Sequence, residues 1–152
     1  MKSFVDLFRA ILISPEVIAL VLPFAVGLYW PEPAVFFAEQ FSADIKWAFG
    51  AAAIPVAFIA ASYQIGGEII SPQGTRRVLL DWPDYSMLKN RIVLALIFCA
   101  LGLVLVIAGA FTIGSYKSSF GATMIFSGLL VSATSLATVG LAKWKIRELL
   151  RE

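Results

Sequence analysis

Four long apolar runs dominate the chain, roughly Val17–Trp30, Ile45–Tyr63, Ile92–Ile113 and Phe120–Ala142, and the polar residues gather between them. Each run approaches the roughly 20 apolar residues that a helix needs to cross about 30 Å of hydrocarbon. The pattern predicts an all-α fold, a four-helix transmembrane bundle forming a single membrane domain over 1–152, with spans at about 15–30, 45–63, 92–113 and 120–142. Residues 1–14 have a different period. Lys2, Asp6 and Arg9 share one helical face and Phe4, Val5, Leu7, Phe8, Ile11 and Leu12 fill the other, as in an amphipathic helix lying in the interface.

Punctuation residues set the expected boundaries. Ser14-Pro15-Glu16 has the form of a helix start, with Ser as N-cap, Pro in the first turn and an acid favoured by the helix dipole. Trp30-Pro31-Glu32-Pro33 ends the first span, and 34–41 then suits a short interfacial helix. Ser42 or Asp44 caps the second span, and Pro55 should kink it. A cytoplasmic loop is expected at 65–91, into which the second helix projects through Glu68. Asp81-Trp82-Pro83-Asp84 resembles another helix start. A tight turn over 114–119 joins the last two spans, and the tail 143–152 continues the fourth helix.

Charge orients this bundle. Lys2 and Arg9, then Arg76, Arg77, Lys89 and Arg91, then Lys143, Lys145, Arg147 and Arg151 fall on one side, so that only Lys46 and Lys117 of the 12 basic residues lie opposite. Short flanks rich in Lys and Arg remain cytoplasmic, so both termini and the central loop are expected inside. Tyr29, Trp30, Trp47 and Tyr116 at the outer ends, and Tyr63, Trp82, Tyr85 and Trp144 at the inner ends, fit aromatic belts. The expected location is a bacterial inner (plasma) membrane.

Composition narrows the function. Charged residues make up 14% and hydrophobic ones 60%, with a mean hydropathy of +0.87; in soluble domains about a quarter of residues are charged. Asp6 and Pro15-Glu16 interrupt the first apolar stretch, so a cleaved signal is not expected. The net charge of +2 argues against direct nucleic-acid binding and suits anionic lipid headgroups. With no histidine and one cysteine, Cys99 in the third run, disulfide frameworks, Cys/His zinc sites and His-based triads drop out. No nucleophile–base pair or phosphate loop stands out, so neither an enzyme nor a cofactor is expected.

Three features remain as candidates. Glu16 is either a capping acid near the inner interface or a transport residue. A carboxylate in a first helix resembles that of the small multidrug-resistance exporters, and a small transporter or channel using Glu16 is the rival reading. Gly121, Gly128, Ser132 and Ser135 form a small-residue stripe on the fourth helix, and Gly50, Ala53, Ala57 and Ala61 form one on the second. Such stripes serve packing, self-association or a polar pore; Gly128, Ser132 and Ser135 are the residues assigned to an interface between copies. On the inner face, Arg76, Arg77, Leu79, Leu80, Trp82 and Asp84, with Trp144 and Lys145, combine charge and apolar anchors suited to docking a soluble partner. Plain positive-inside charge with aromatic anchoring would also produce this face.

The chain is similar in architecture to the membrane component of the two-gene Kiwa anti-phage defence system. The likeness lies in its size, four spans with both ends inside, and the loop Thr75-Arg76-Arg77-Val78-Leu79-Leu80-Asp81-Trp82-Pro83-Asp84. It implies an oligomeric membrane scaffold and sensor that recruits or regulates a cytosolic effector protein.

The charge asymmetry makes one direct prediction. With Cys99 replaced, a cysteine introduced as Arg77→Cys should resist impermeant thiol reagents in intact cells and react after permeabilisation. Strong labelling from outside would reverse the orientation.

Overall fold

The structure, a computed structural model, describes residues 14–70, 83–116 and 119–149. Among these residues all regular structure is helical: α1 (Pro15–Tyr29), α2 (Glu32–Ala43), α3 (Ile45–Gly50), α4 (Ala53–Ile70), α5 (Tyr85–Tyr116) and α6 (Ser119–Leu149). The amphipathic segment expected at 1–14 lies outside the described residues except for Ser14. Three helical stretches are long and apolar enough to cross a membrane: Ile45–Ile70 (α3 with α4), Tyr85–Gly114 and Ser119–Glu148. A fourth crossing is counted when the bent pair α1–α2 is taken together. The all-α bundle follows the sequence pattern.

The central contact is between α5 and α6, which run antiparallel with their backbones almost touching. Gly102 faces Gly128 and Gly109 faces Gly121. A Cβ built on Gly109 would lie 2.6 Å from the Gly121 carbonyl oxygen, and one on Gly121 would lie 2.8 Å from that of Gly109. Spacing of seven on both helices puts each pair on one face. Of the hydroxyls beside this seam, Ser132 Oγ donates to the Gly128 carbonyl of its own helix (2.7 Å) and lies 3.5 Å from the Cys99 carbonyl across the seam, and Ser135 Oγ donates to the carbonyl of Val131 (2.8 Å). No polar group is thereby left without a partner in the seam. Gly128, Ser132 and Ser135 are the residues expected at an interface between copies. All three are buried within one chain, Gly128 and Ser132 against Gly102 of α5.

Proline sets the remaining geometry. The chain bends by 101° between α1 and α2, where Trp30, kept out of the helical region by the proline that follows, takes φ −141° and ψ 80°. α2 then lies across the Tyr116 end of α5 and α6, with Phe37 edge-on to Phe126 (4.7 Å between centroids). Ala38 enters a cluster with Ala48, Val106, Ala110, Ile113, Ala122 and Ile125. Asp44, not Ser42, caps the next helix by accepting from the Lys46 N–H at 3.1 Å. The kink expected at Pro55 falls one turn earlier. Its missing N–H and its ring disturb the carbonyl of Ala51, which accepts from Ile54 N at 3.2 Å instead. α3 therefore ends at Gly50 and α4 restarts at Ala53.

Length distinguishes α1 from its neighbours. At 1.5 Å per residue, the 15 residues of α1 reach only about 22 Å, whereas α5 (32 residues) and α6 (31 residues) reach about 48 and 46 Å. At the Tyr85 end α4 runs on to Ile70, in keeping with the expected projection through Glu68. There Ile69, Ile92, Ala95, Val139 and Ile146 form a second apolar cluster with Tyr85 and Leu88 around it. The Tyr85 hydroxyl reaches the last α4 carbonyls, Ile69 at 3.0 Å and Ile70 at 2.9 Å, and Lys143 pairs with Glu68 at 3.1 Å.

Enlarging the seam should be costly in proportion to this closeness. Gly109→Val or Gly128→Leu is expected to lower stability in detergent by about 1–3 kcal/mol, the usual penalty for overpacking, or to abolish the monodisperse particle. Gly67→Ala, where nothing lies within 4 Å of the added methyl, should be neutral or stabilising by up to about 1 kcal/mol. Equal melting of the seam variants and Gly67→Ala in a thermal dispersity assay would contradict the packing described.

Candidate functional site: a buried carboxylate at the base of a helical platform

Glu16 stands in the first turn of α1, yet its side chain is 1% exposed. The capping role expected for it needs no such burial, and Ser14 does not cap with its side chain either. Instead the Ser14 backbone carbonyl accepts from Val17 and Ile18 N–H (3.0 and 3.3 Å), which leaves its hydroxyl free to donate to Glu16 Oε2. Arg91 of α5 donates to the same oxygen from Nη2 at 3.0 Å, and Thr138 of α6 donates from Oγ1 to Oε1 at 2.6 Å. One carboxylate thus joins α1 to both helices of the central pair.

These partners compensate a charge that would otherwise be very expensive. Removing a carboxylate from water costs several kcal/mol even after the protein relaxes, and only close pairing with full hydrogen bonding offsets that. Arg91 remains 29% exposed, so its long side chain carries the buried pair's positive end towards the polar surface. Arg91 adjoins Ile92, and Thr138 adjoins Val139, both members of the apolar cluster at the Tyr85 end. The carboxylate therefore lies at the base of the helical extension.

Further along, α1 is held to α6 by two weaker contacts. Ser127 Oγ donates to the Leu20 carbonyl at 2.6 Å, beside Ala19, whose carbonyl receives no helix bond from Pro23. Gly27 packs on Thr123, whose Oγ1 would lie 3.1 Å from an added Cβ. α1 consequently runs antiparallel to α6, from Thr138 at one end to Thr123 at the other.

The proposed docking residues are only partly described. Arg76, Arg77, Leu79, Leu80 and Trp82 lie outside the described residues. Asp84 is exposed, and its carbonyl starts α5 by accepting from Leu88 N–H at 3.0 Å. Trp144 is 63% exposed on α6. Lys145 is exposed as well and pairs with Glu148 at 2.8 Å. Asp84 heads α5 and Trp144 lies near the end of α6, so both belong to the Tyr85 end of the bundle. The sequence reading missed Arg91 and Thr138 as partners of Glu16, and Gly102 and Gly109 as partners of the α6 glycines. The seven-residue spacing of Gly102 and Gly109 was a usable signal; nothing in one dimension ties residue 16 to residue 138.

Among the described residues no group of His, Cys, Asp and Glu could hold a metal ion. Comparison with family models, with curated proteins and with solved structures gives no match.

The cluster makes an asymmetric prediction. Arg91→Leu strands a fully buried carboxylate and should cost about 2–3 kcal/mol, the low side of the range for breaking a buried pair because Arg91 is partly exposed. Glu16→Gln leaves an arginine that can reach solvent and should cost less, about 1 kcal/mol. Denaturation in mixed micelles would measure both, and the order of the two losses is the critical observation.

Proposed function

We propose that this is a multi-pass protein of a bacterial inner membrane that serves as a scaffold, docking a soluble cytosolic protein on the surface at the Tyr85 end. The helical platform carries the reading. α4, α5 and α6 continue together at one end, share an apolar cluster, and are tied by Tyr85 and the Glu68–Lys143 pair. About 30 Å of hydrocarbon accounts for only about two thirds of α5 and α6. The remaining turns form a small folded body, which crossing a membrane does not by itself require.

Charge supports the same assignment. The platform end carries Lys89, Arg91, Lys143, Lys145 and Arg147, so the positive-inside rule turns it towards the cytoplasm, together with both termini and the 65–91 segment. Exposed Trp144 among these cations supplies an aromatic anchor in a field that would steer an acidic partner. The likeness to the Kiwa membrane component points in the same direction, towards an oligomeric sensor of phage attack that holds a cytosolic effector. Self-association would then use outward surface, such as the exposed positions Gly50 at the end of α3 and Ala53 and Ala57 on α4, since the α6 stripe is occupied within the chain.

The transport reading has the burial of Glu16 in its favour. Against it, the two carboxylate oxygens already accept from three side chains, and a transported cation would have to displace Arg91.

Affinity capture in mild detergent tests the scaffold. A tagged wild-type protein should retain a soluble partner, with binding weakened by salt. Arg76→Glu with Arg77→Glu should slow association, and Trp144→Ala should mainly speed dissociation, with a loss of roughly tenfold or more in affinity for a central anchor. Undiminished partner recovery by both variants, correctly inserted as judged by thiol labelling, would refute this docking surface. Proton-coupled substrate uptake lost in Glu16→Gln would favour transport instead.

A further inference from the structure

We infer that the pocket beneath the α1–α2 bend holds one acyl chain of a membrane phospholipid, with an amine-bearing headgroup at its rim. The pocket has a volume of about 210 Å³ and is lined chiefly by Pro23, Trp30, Pro33, Phe37, Thr123 and Phe126. An apolar cavity of about 150 Å³ already suffices to bind benzene. The one hydroxyl in the lining, Thr123 Oγ1, donates to the Ser119 carbonyl at 3.0 Å, so the lining presents hydrocarbon and aromatic surface. Water would lack the two to four polar partners it needs in such a place.

The surroundings identify the occupant. Leu22, Val26 and Leu28 on the same helix are 50%, 44% and 83% exposed, which in a membrane helix means contact with acyl chains. Trp30 stands at the mouth of the pocket, at the depth where tryptophans meet headgroups. Pro23 lies about 10 Å further along the helix, towards the bilayer interior. The pocket thus runs inwards from the headgroup level, along the direction of a lipid chain, and lipid is the medium that surrounds it. No hydrophobic transfer drives entry from one hydrocarbon phase into another; the gain is the dispersion contact that an empty pocket forfeits. At the mouth, Glu32 accepts from Trp30 Nε1 at 3.3 Å, which fixes a carboxylate beside the rim. That charge favours the ammonium of phosphatidylethanolamine and repels the anionic head of phosphatidylglycerol. This inference requires immersion in a bilayer but not the docking platform, so either can fail alone.

The test uses the full chain, taken from vesicles of equal phosphatidylethanolamine and phosphatidylglycerol into mild detergent, with retained lipid read by native mass spectrometry. Wild-type protein should keep a single phosphatidylethanolamine per chain. Ala34→Phe and Val26→Phe, which place a ring in the pocket from α2 and α1 respectively, should each reduce retention roughly tenfold or more while the particle stays monodisperse. Val104→Phe, on the exposed face of α5, should retain lipid as wild type does, and Glu32→Gln should remove the headgroup preference. Wild-type protein that keeps no lipid, or equal retention in wild type and both filled variants, would overturn the site. Equal retention of phosphatidylglycerol by wild type would overturn the headgroup assignment.

Discussion

Everything else in this bundle is arranged around the near-contact of the α5 and α6 backbones at Gly102–Gly128 and Gly109–Gly121. In a hydrocarbon solvent, helices gain nothing by hiding leucine from lipid, so association depends on dispersion contact, on hydrogen bonds and on how closely the backbones approach. Four glycines at matching intervals permit that approach in one antiparallel register. The register then decides which groups stand opposite one another farther along. It brings Arg91 and Thr138 to neighbouring positions on facing helices, where both can reach the same acid.

The glycine seam makes a rigid two-helix post, and α1 is the element that has to be attached to it. α1 is short, interrupted by Pro23, and exposes Leu22, Val26 and Leu28. Apolar packing alone gives it little reason to choose one position. The buried Glu16 provides that choice, because a carboxylate in this environment is tolerable only where Ser14, Arg91 and Thr138 meet. The Ser127 and Gly27–Thr123 contacts then set the direction in which α1 leaves the cluster. A polar cluster of this kind contributes more to uniqueness than to net stability, since its desolvation cost consumes much of its Coulombic gain.

The two ends of the bundle differ for the same reasons. At the Tyr116 end α5 and α6 are covered by α2, whose crossing direction is imposed by prolines at 31 and 33. At the Tyr85 end the three longer helices continue side by side, α5 antiparallel to α4 and α6, and their apolar faces need a partner. They find it in one another, through Ile69, Ile92, Val139 and Ile146.

The sequence by itself determined the all-α class and the positions of the long apolar helices, because hydrocarbon demands continuous apolar helix and leaves an unmistakable one-dimensional record. It also located the breaks, at Trp30-Pro31 and near Pro55, because proline acts within one turn of where it stands. It further marked the α6 stripe as a contact face, though not whose face it meets. Tertiary structure alone decided that this stripe serves α5 of the same chain. It alone decided that Glu16 is buried, that residues 91 and 138 neutralise it, and that α4, α5 and α6 build a platform. Those outcomes depend on antiparallel register between segments far apart in the chain, and register is fixed by shape complementarity across two surfaces, which no single stretch of residues records.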